Sequence, residues 1–469
     1  MISLIIKKEV QDIITSRRFV ITFAVSSVLI ILSFYAGANN FFMQQRQYEA
    51  ALSENMRQNE GVTDWRQISH IIFLPPNPLH TLVNGISNDI GRDIEMYGIG
   101  ELTAENSRYN DEPLFAVFRF LDLEFLFAVI LSLFAIVYGY NMINGEKESG
   151  TLRLVFASQL SKDQFILGKL CGALLAAAFP LIVPFLLGAL LLIILGVPLS
   201  AAGWIKLALV IFCGLLLFSM FLTLSIFISA LTRNSAAAFL YLLVIWIFSV
   251  LIIPRTAVLI AGRTADVPSI DETASQKYRL RIQLFTEQMK KLRDFKAENT
   301  SDVQKMAEEF QKFMALQTEE RSKKQDSFNR KLNEERRNKQ IVQEKLALNL
   351  ARISPVSVFS LAALNLAGTS INLKQAYSRS ADAYQQQYAA FLRSKLDGNL
   401  PEAGMVMRTI NNNADVNPID PHELPQFEYH EPPAGSTIQA AAADMAVLLV
   451  LNLLFFIGAV YAFIRYDVR

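Results

Sequence analysis

The side chains able to do chemistry are few and widely spaced. His70, His80, His422 and His430 are the four histidines, and no spacing among them gathers a metal ion, so a solvated surface role is expected for each. Cys171 and Cys213 both sit inside apolar runs and read as small packing residues rather than a disulfide or a thiolate site. A phosphate-binding GxxxxGK[ST] loop is absent: Gly168-Lys169 is followed by Leu170 and lacks the leading glycine. Neither HExxH nor GxSxG occurs. What remains is charge in two places. One is the run Glu146-Lys147-Glu148 with Arg153 just beyond it; the other is a scattered set, Asp122, Glu124, Lys206, Arg255 and Asp444, each near the edge of a long apolar stretch. Ionisable groups at such edges carry a solvation cost, so they are candidates for pairing across helices and gating an exit, or for snorkelling to headgroups.

Those charges must be positioned by apolar elements. The chain has 469 residues, 52% of them hydrophobic, and a formal net charge of +1, which excludes an ordinary soluble domain and a nucleic-acid binder. About 20 apolar residues cross a bilayer core of ~30 Å. Six stretches meet that requirement, at 19–38, 121–142, 170–195, 205–230, 236–260 and 441–464. Lys7, Lys8, Arg17 and Arg18 before the first span, Arg233 between the fourth and fifth, and Arg465 and Arg469 after the last place both termini in the cytoplasm. Residues 143–169 are then cytoplasmic, and 39–120 and 263–438 are external. Ile2, Ile5, Ile6, Val10, Ile13 and Ile14 recur at helical spacing beside Lys7, Lys8, Glu9 and Asp12, so residues 1–18 read as an interfacial helix. Pro180 and Pro184 predict a kink in the third span.

Within the second external segment, Tyr278, Ile282, Phe285, Met289 and Leu292 follow alternating four- and three-residue steps. That rhythm predicts a coiled-coil seam. Cap residues at 298–302 interrupt it, and Val303, Met306, Phe310 and Phe313 resume it, giving a helical hairpin over about 271–351 whose seam thins after Leu316.

Between the second and third spans runs Asn144-Gly145-Glu146-Lys147-Glu148-Ser149-Gly150-Thr151-Leu152-Arg153-Leu154, continuing to Gly168-Lys169-Leu170. Gly150 allows a turn, Thr151 can cap a short helix, and Leu152, Leu154, Val155 and Phe156 offer an apolar face for a partner's groove, with Glu146, Glu148 and Arg153 setting register at the rim. In its order and its place after the second span, this stretch resembles the cytoplasmic loop of ABC-2-type permeases. Leu74-Pro75-Pro76-Asn77-Pro78-Leu79, Gly85, Gly91-Arg92-Asp93, Ile353-Ser354-Pro355-Val356 and Leu366-Ala367-Gly368-Thr369 resemble the subgroup with long external insertions.

The apolar stretches and the helical rhythm predict an all-α polytopic membrane protein: six transmembrane helices and a large, mainly helical extracytoplasmic region including the hairpin. The resemblance implies a permease subunit of an ABC exporter in the bacterial cytoplasmic membrane, coupled through Glu146, Glu148, Gly150, Thr151, Leu152, Arg153 and Leu154. No cofactor is expected in this chain; ATP and Mg belong to a separate ATPase subunit, and a second permease half, membrane lipids and a periplasmic partner complete the expected contacts. The alternative is a mechanical transmitter that relays ATPase motion to the hairpin and an external partner without moving a solute.

Overall fold

In the computed structural model, the structure describes residues 2–87, 90–96, 102, 104–105, 122–152, 156, 161–264, 266–295, 303–396 and 418–465. The chain forms two compact units, residues 1–252 with 353–469, and residues 253–352.

The first unit is a helical bundle with a small sheet-and-helix appendage. Its helices are α1 (Ile2–Ile14), α2 (Arg17–Gln58), α3 (Pro78–Leu82), α4 (Leu123–Phe125) running through a π-helical stretch into α5 (Ser132–Gly139), and α6 (Asn144–Glu148). Then follow α7 (Lys162–Ala178), α8 (Ile182–Ile194), α9 (Ala201–Leu231) and α10 (Ser235–Ile247). Among the described residues, seven stretches are long and apolar enough to cross a membrane, and six of them overlap the segments expected from hydropathy. The third is broken as its prolines predict: Pro180 has no N–H and clashes with the preceding turn, so α7 ends at Ala178 and two three-residue turns lead into α8. After α10, a π-helical turn at Phe248–Ile252 precedes Pro254, where the missing donor and the ring favour a wider turn.

The seventh stretch, Pro355–Lys395, was expected to be wholly external and is two helices with different surroundings. Ser354 caps α14 (Pro355–Ala367), whose Val358, Phe359, Ala362, Ala363 and Leu366 are fully buried in the main core. Gly368 at φ 78 ends it. Thirteen residues reach about 20 Å, short of a hydrocarbon core. Beyond the glycine lies α15 (Ile371–Lys395), a polar helix whose Leu373, Tyr377, Tyr384, Tyr388 and Leu392 form a second core with Ile72, Ile94 and Met96. Those three come from an antiparallel sheet of β1 (His70–Phe73), β2 (Asp93–Met96) and β3 (Ala104–Glu105), with Ile72 opposite Ile94 and Asp93 opposite Glu105. The all-α class therefore stands with three short strands added. The last helix, α16 (Ala434–Arg465), packs against α9 and α14.

The second unit holds α11 (Ile253–Thr264), α12 (Ile270–Arg293) and α13 (Val303–Ala351), with α11 and α12 both lying along α13. Ser269 and Glu272 form a reciprocal capping box that starts α12. The arms run antiparallel: Pro268 O accepts from Arg336, Gln288 from Arg321, Lys291 pairs with Glu320, and Phe295 packs on Phe310 and Phe313. The hairpin forms as expected, but α12 meets α13 through a different face from the predicted seam. Thr273, Leu284 and Gln288 are buried, whereas Tyr278, Ile282, Phe285 and Met289 are exposed. The reason lies in α13, whose Gln317–Gln340 region is almost entirely polar and gives large apolar side chains little to pack against.

Candidate coupling site

The loop after the second span folds into a short helix, α6, and each charge on it is already engaged. Lys147 Nζ donates to the carbonyls of Ser229 (3.2 Å), Ala230 (2.7 Å) and Thr232 (2.9 Å), so a cation closes the C-terminus of α9, where unpaired carbonyls collect. Glu148 accepts from the backbone N–H (2.6 Å) and hydroxyl (3.0 Å) of Ser235, capping the N-terminus of α10. Asn144 adds a bond from its side-chain amide to Thr232 Oγ1 (2.7 Å), and the backbone amides of Ile143 and Asn144 both donate to Ser229 Oγ. Ile143, Asn144, Lys147 and Glu148 thereby join the end of one span to the start of the next.

Glu146 faces the other way, into a buried ion triad. Lys169 Nζ lies 2.9 Å from Glu146 and 2.8 Å from Glu9, and also donates to Met142 O at 3.1 Å. The lysine side chain is 4% exposed and that of Glu9 8%, so these charges are taken out of solvent and depend on one another. Two glycines make the contact possible. A Cβ at Gly168 would come within 2.8 Å of Ile5, and one at Gly172 within 2.7 Å of Glu9 Cβ. Only bare backbone lets α1 approach α7 closely enough for Glu9 to reach Lys169. The N-terminal helix is thus docked onto the third span through its apolar side, with Lys7 and Lys8 left exposed.

After α6 the chain turns at Gly150, whose φ of 74 lies in the left-handed region that a side chain resists. Ser149, Gly150 and Thr151 are exposed. Leu152, by contrast, is buried in the main core, and Phe156 packs at 5.5 Å on Phe165 and 6.0 Å on Phe463. The apolar face expected for a partner thus turns, at Leu152 and Phe156, toward its own chain. Arg153 and Leu154 lie outside the described residues. Of the expected coupling residues, then, Glu146 and Glu148 serve internal ties, Leu152 is core, and Gly150 and Thr151 carry the exposed turn.

Asp122, Glu124 and Lys206 lie toward the opposite end of the unit. Lys206 and Ser229 lie on the same helix, α9, 23 residues and about 35 Å apart. Asp122 caps the first turn of its span, accepting from Phe125 N (2.9 Å) and from Asn84 N (3.1 Å). Glu124 accepts from the Ser360 hydroxyl of α14. Lys206 is buried on α9, and Asp444 fully buried on α16. Arg255 belongs to the second unit, where it is exposed on α11. Asp122 and Glu124 are held by neutral donors.

His80 and His70 correct the expectation of solvated histidines. His80 is buried beside Gly368, and burial, with the positive fields of Arg92 and Lys206, pulls its pKa down to about 3. His70 lies between Tyr384 and Tyr388 and is pushed down to about 4 by burial. Tyr384 gives its one hydroxyl proton to Pro425 O, so its oxygen accepts from His70 Nε2 at 2.6 Å. His70 is therefore a neutral, half-buried residue stacked against the tyrosines of the appendage's core. The two outlying motifs also meet: Ile86 N donates to Thr369 O at 3.0 Å, and a Cβ at Gly85 would lie 2.5 Å from that same oxygen.

The sequence profile of the ABC-2 family transporter proteins matches residues 3–468, and the chain belongs to that family. No curated protein matches it. The chain is a multi-pass membrane protein, and its family supplies membrane subunits that carry no ATPase site of their own and normally work with an ABC ATPase subunit.

Proposed function

We propose that the chain is the permease subunit of an ABC exporter in a bacterial cytoplasmic membrane, with both termini in the cytoplasm, and that a separate ATPase drives it through the turn after α6. One observation carries this reading. The exposed turn Ser149-Gly150-Thr151 hangs from a five-residue helix that is tied to α9 by Lys147, to α10 by Glu148, and to α7 and α1 by Glu146 through Lys169. A push on the turn is delivered to four helices at once, because the ties are a buried ion triad at α1 and α7 and charged side chains seated on the helix ends of α9 and α10. ATP and Mg act on the partner subunit, and a second permease half completes the pathway. Purification from native membranes in mild detergent tests the reading. The wild-type chain should bring down an ABC ATPase with measurable hydrolysis, and Ser149→Trp with Thr151→Trp should lose it while the permease stays membrane-inserted and monodisperse. Equal recovery with the double variant would remove the turn from the interface.

A second reading, force transmission to an external partner, draws on the second unit. Its first helix, α11, is the continuation of the candidate span Ser235–Thr264, so motion of that span enters the hairpin unit through the backbone itself. ATP-dependent flux in proteoliposomes that survives deletion of 271–351 would count against transmission.

A further inference from the structure

The hairpin leaves its better apolar stripe uncovered. Tyr278, Ile282, Phe285 and Met289 are 64%, 47%, 49% and 40% exposed, respectively, at the four- and three-residue spacing of a coiled-coil seam. The arm α13 is already packed on the neighbouring face through Leu284 and Gln288, so the stripe has no occupant within its own unit. Arg279 and Arg281 flank it on either side, with Lys290 further along the helix. None of these three makes an ion pair among the described residues.

We propose that this stripe is a docking face for an acidic amphipathic helix on a separate protein: apolar side chains of that helix fill the spaces between Tyr278, Ile282, Phe285 and Met289, and its carboxylates pair with Arg279 and Arg281. The inference rests on the hairpin lying outside the membrane, and it supplies a partner chemistry for force transmission. Charge selects the occupant. A second copy of α12 offers no carboxylate to either arginine: with the stripe as the seam, the flanking positions that meet Arg279 and Arg281 are Ala274, Thr286 and Gln288, so both cations would stay unpaired. A lipid surface is disfavoured by the shape of the stripe. Tyr278, Ile282, Phe285 and Met289 form a single narrow row about 17 Å long, flanked at once by Arg279 and Arg281, the width of a helix–helix seam. A helix lying on headgroups presents a broader apolar face.

Two designed peptides test it against the full chain in nanodiscs of neutral lipid, each an amphipathic helix with leucine at the seam, flanked by glutamate in one and lysine in the other. Fluorescence anisotropy should show saturable binding of the glutamate peptide, at least tenfold tighter than the lysine peptide and weakened by salt. Ile282→Ser with Phe285→Ser should abolish binding, and Arg279→Glu with Arg281→Glu should reverse the peptide preference; both pairs alter exposed positions, and circular dichroism checks that helicity persists. Reversal of preference is the decisive support, because loss of folding cannot produce it. Binding of neither peptide, equal binding of both, self-association lost in the serine variant, or binding instead to anionic vesicles would each overturn the proposal. None of these readouts depends on ATPase recovery, so failure here and failure of the coupling reading are separable.

Discussion

The two ends of the bundle hold buried charge in different ways. At the loop end, Lys169 balances Glu9 and Glu146, while Lys147 and Glu148 close two helix termini. At the far end, Asp122 and Glu124 are satisfied by backbone amides and a serine hydroxyl. An ion triad binds its members strongly to each other, because losing one leaves the rest unpaired in a low-dielectric site. A carboxylate held by neutral donors loses one hydrogen bond when a donor goes. The loop end is thus built to move as a block, whereas Asp122 and Glu124 at the far end are adjusted contact by contact.

Several substitutions separate those two designs. The largest effect is expected from Lys169→Met, which leaves two carboxylates unpaired and should cost about 3–5 kcal/mol, read as a lowered unfolding midpoint in detergent. Adding Glu9→Gln and Glu146→Gln to that variant should recover much of the loss, since no buried charge then remains. If Lys169→Met alone is harmless, the triad is not the tie described here. Lys147→Met comes next: three carbonyls of α9 lose a charged donor, at about 1.5–3 kcal/mol, and hydrogen exchange should rise at residues 226–232.

A pH test probes the appendage. His70 is neutral when folded, with its pKa pushed down to about 4, and takes a proton near 6.5 when unfolded. The unfolded form therefore binds more protons between those values, so stability is complete above about pH 6.5 and falls as the pH drops toward 4. Hydrogen exchange in β1 and α15 should report a loss of about 1–2 kcal/mol between pH 7.5 and 5, and His70→Phe should flatten it. A slope unchanged in that variant would assign the titration elsewhere. The smallest effects belong to single hydrogen-bond or backbone changes. Gly150→Ala should cost about 1 kcal/mol through its left-handed backbone, and Ser360→Ala at the far end about 0.5–1.5 kcal/mol. A far-end loss as large as that of Lys169→Met would erase the contrast between the two ends.

Much of this arrangement is visible in the residue order. The spans follow from apolar length, the kink from Pro180, and the hairpin from its interrupted rhythm. The triad carries a signal too. Lys169 is a lysine within an apolar run and between two glycines, and Glu9 falls on the same helical face as Ile5, Ile6 and Ile13, where a carboxylate needs a partner. What residue order hides is which face wins when a helix has two choices. The stripe of Tyr278 is the more apolar face of α12, yet Leu284 and Gln288 meet α13, because the outcome depends on what the other arm offers. Likewise Leu152 and Phe156 read as a face for a partner, yet Leu152 joins the core of its own chain and Phe156 packs on Phe165 and Phe463. Apolar length also hides depth: α14 is apolar because it is buried against α9 and α16, although it is too short to cross.

The central claim is that force applied at the exposed turn reaches the spans through the triad. Its most direct test is ATP hydrolysis by the complex of this chain with its copurified ATPase, reconstituted in nanodiscs with wild-type or Lys169→Met permease. The account predicts that the ATPase still copurifies with the variant, because the exposed turn is intact, while permease-dependent hydrolysis falls by about tenfold or more, corresponding to at least 1.4 kcal/mol of lost coupling. Unchanged hydrolysis by a folded, ATPase-bound Lys169→Met complex would contradict it.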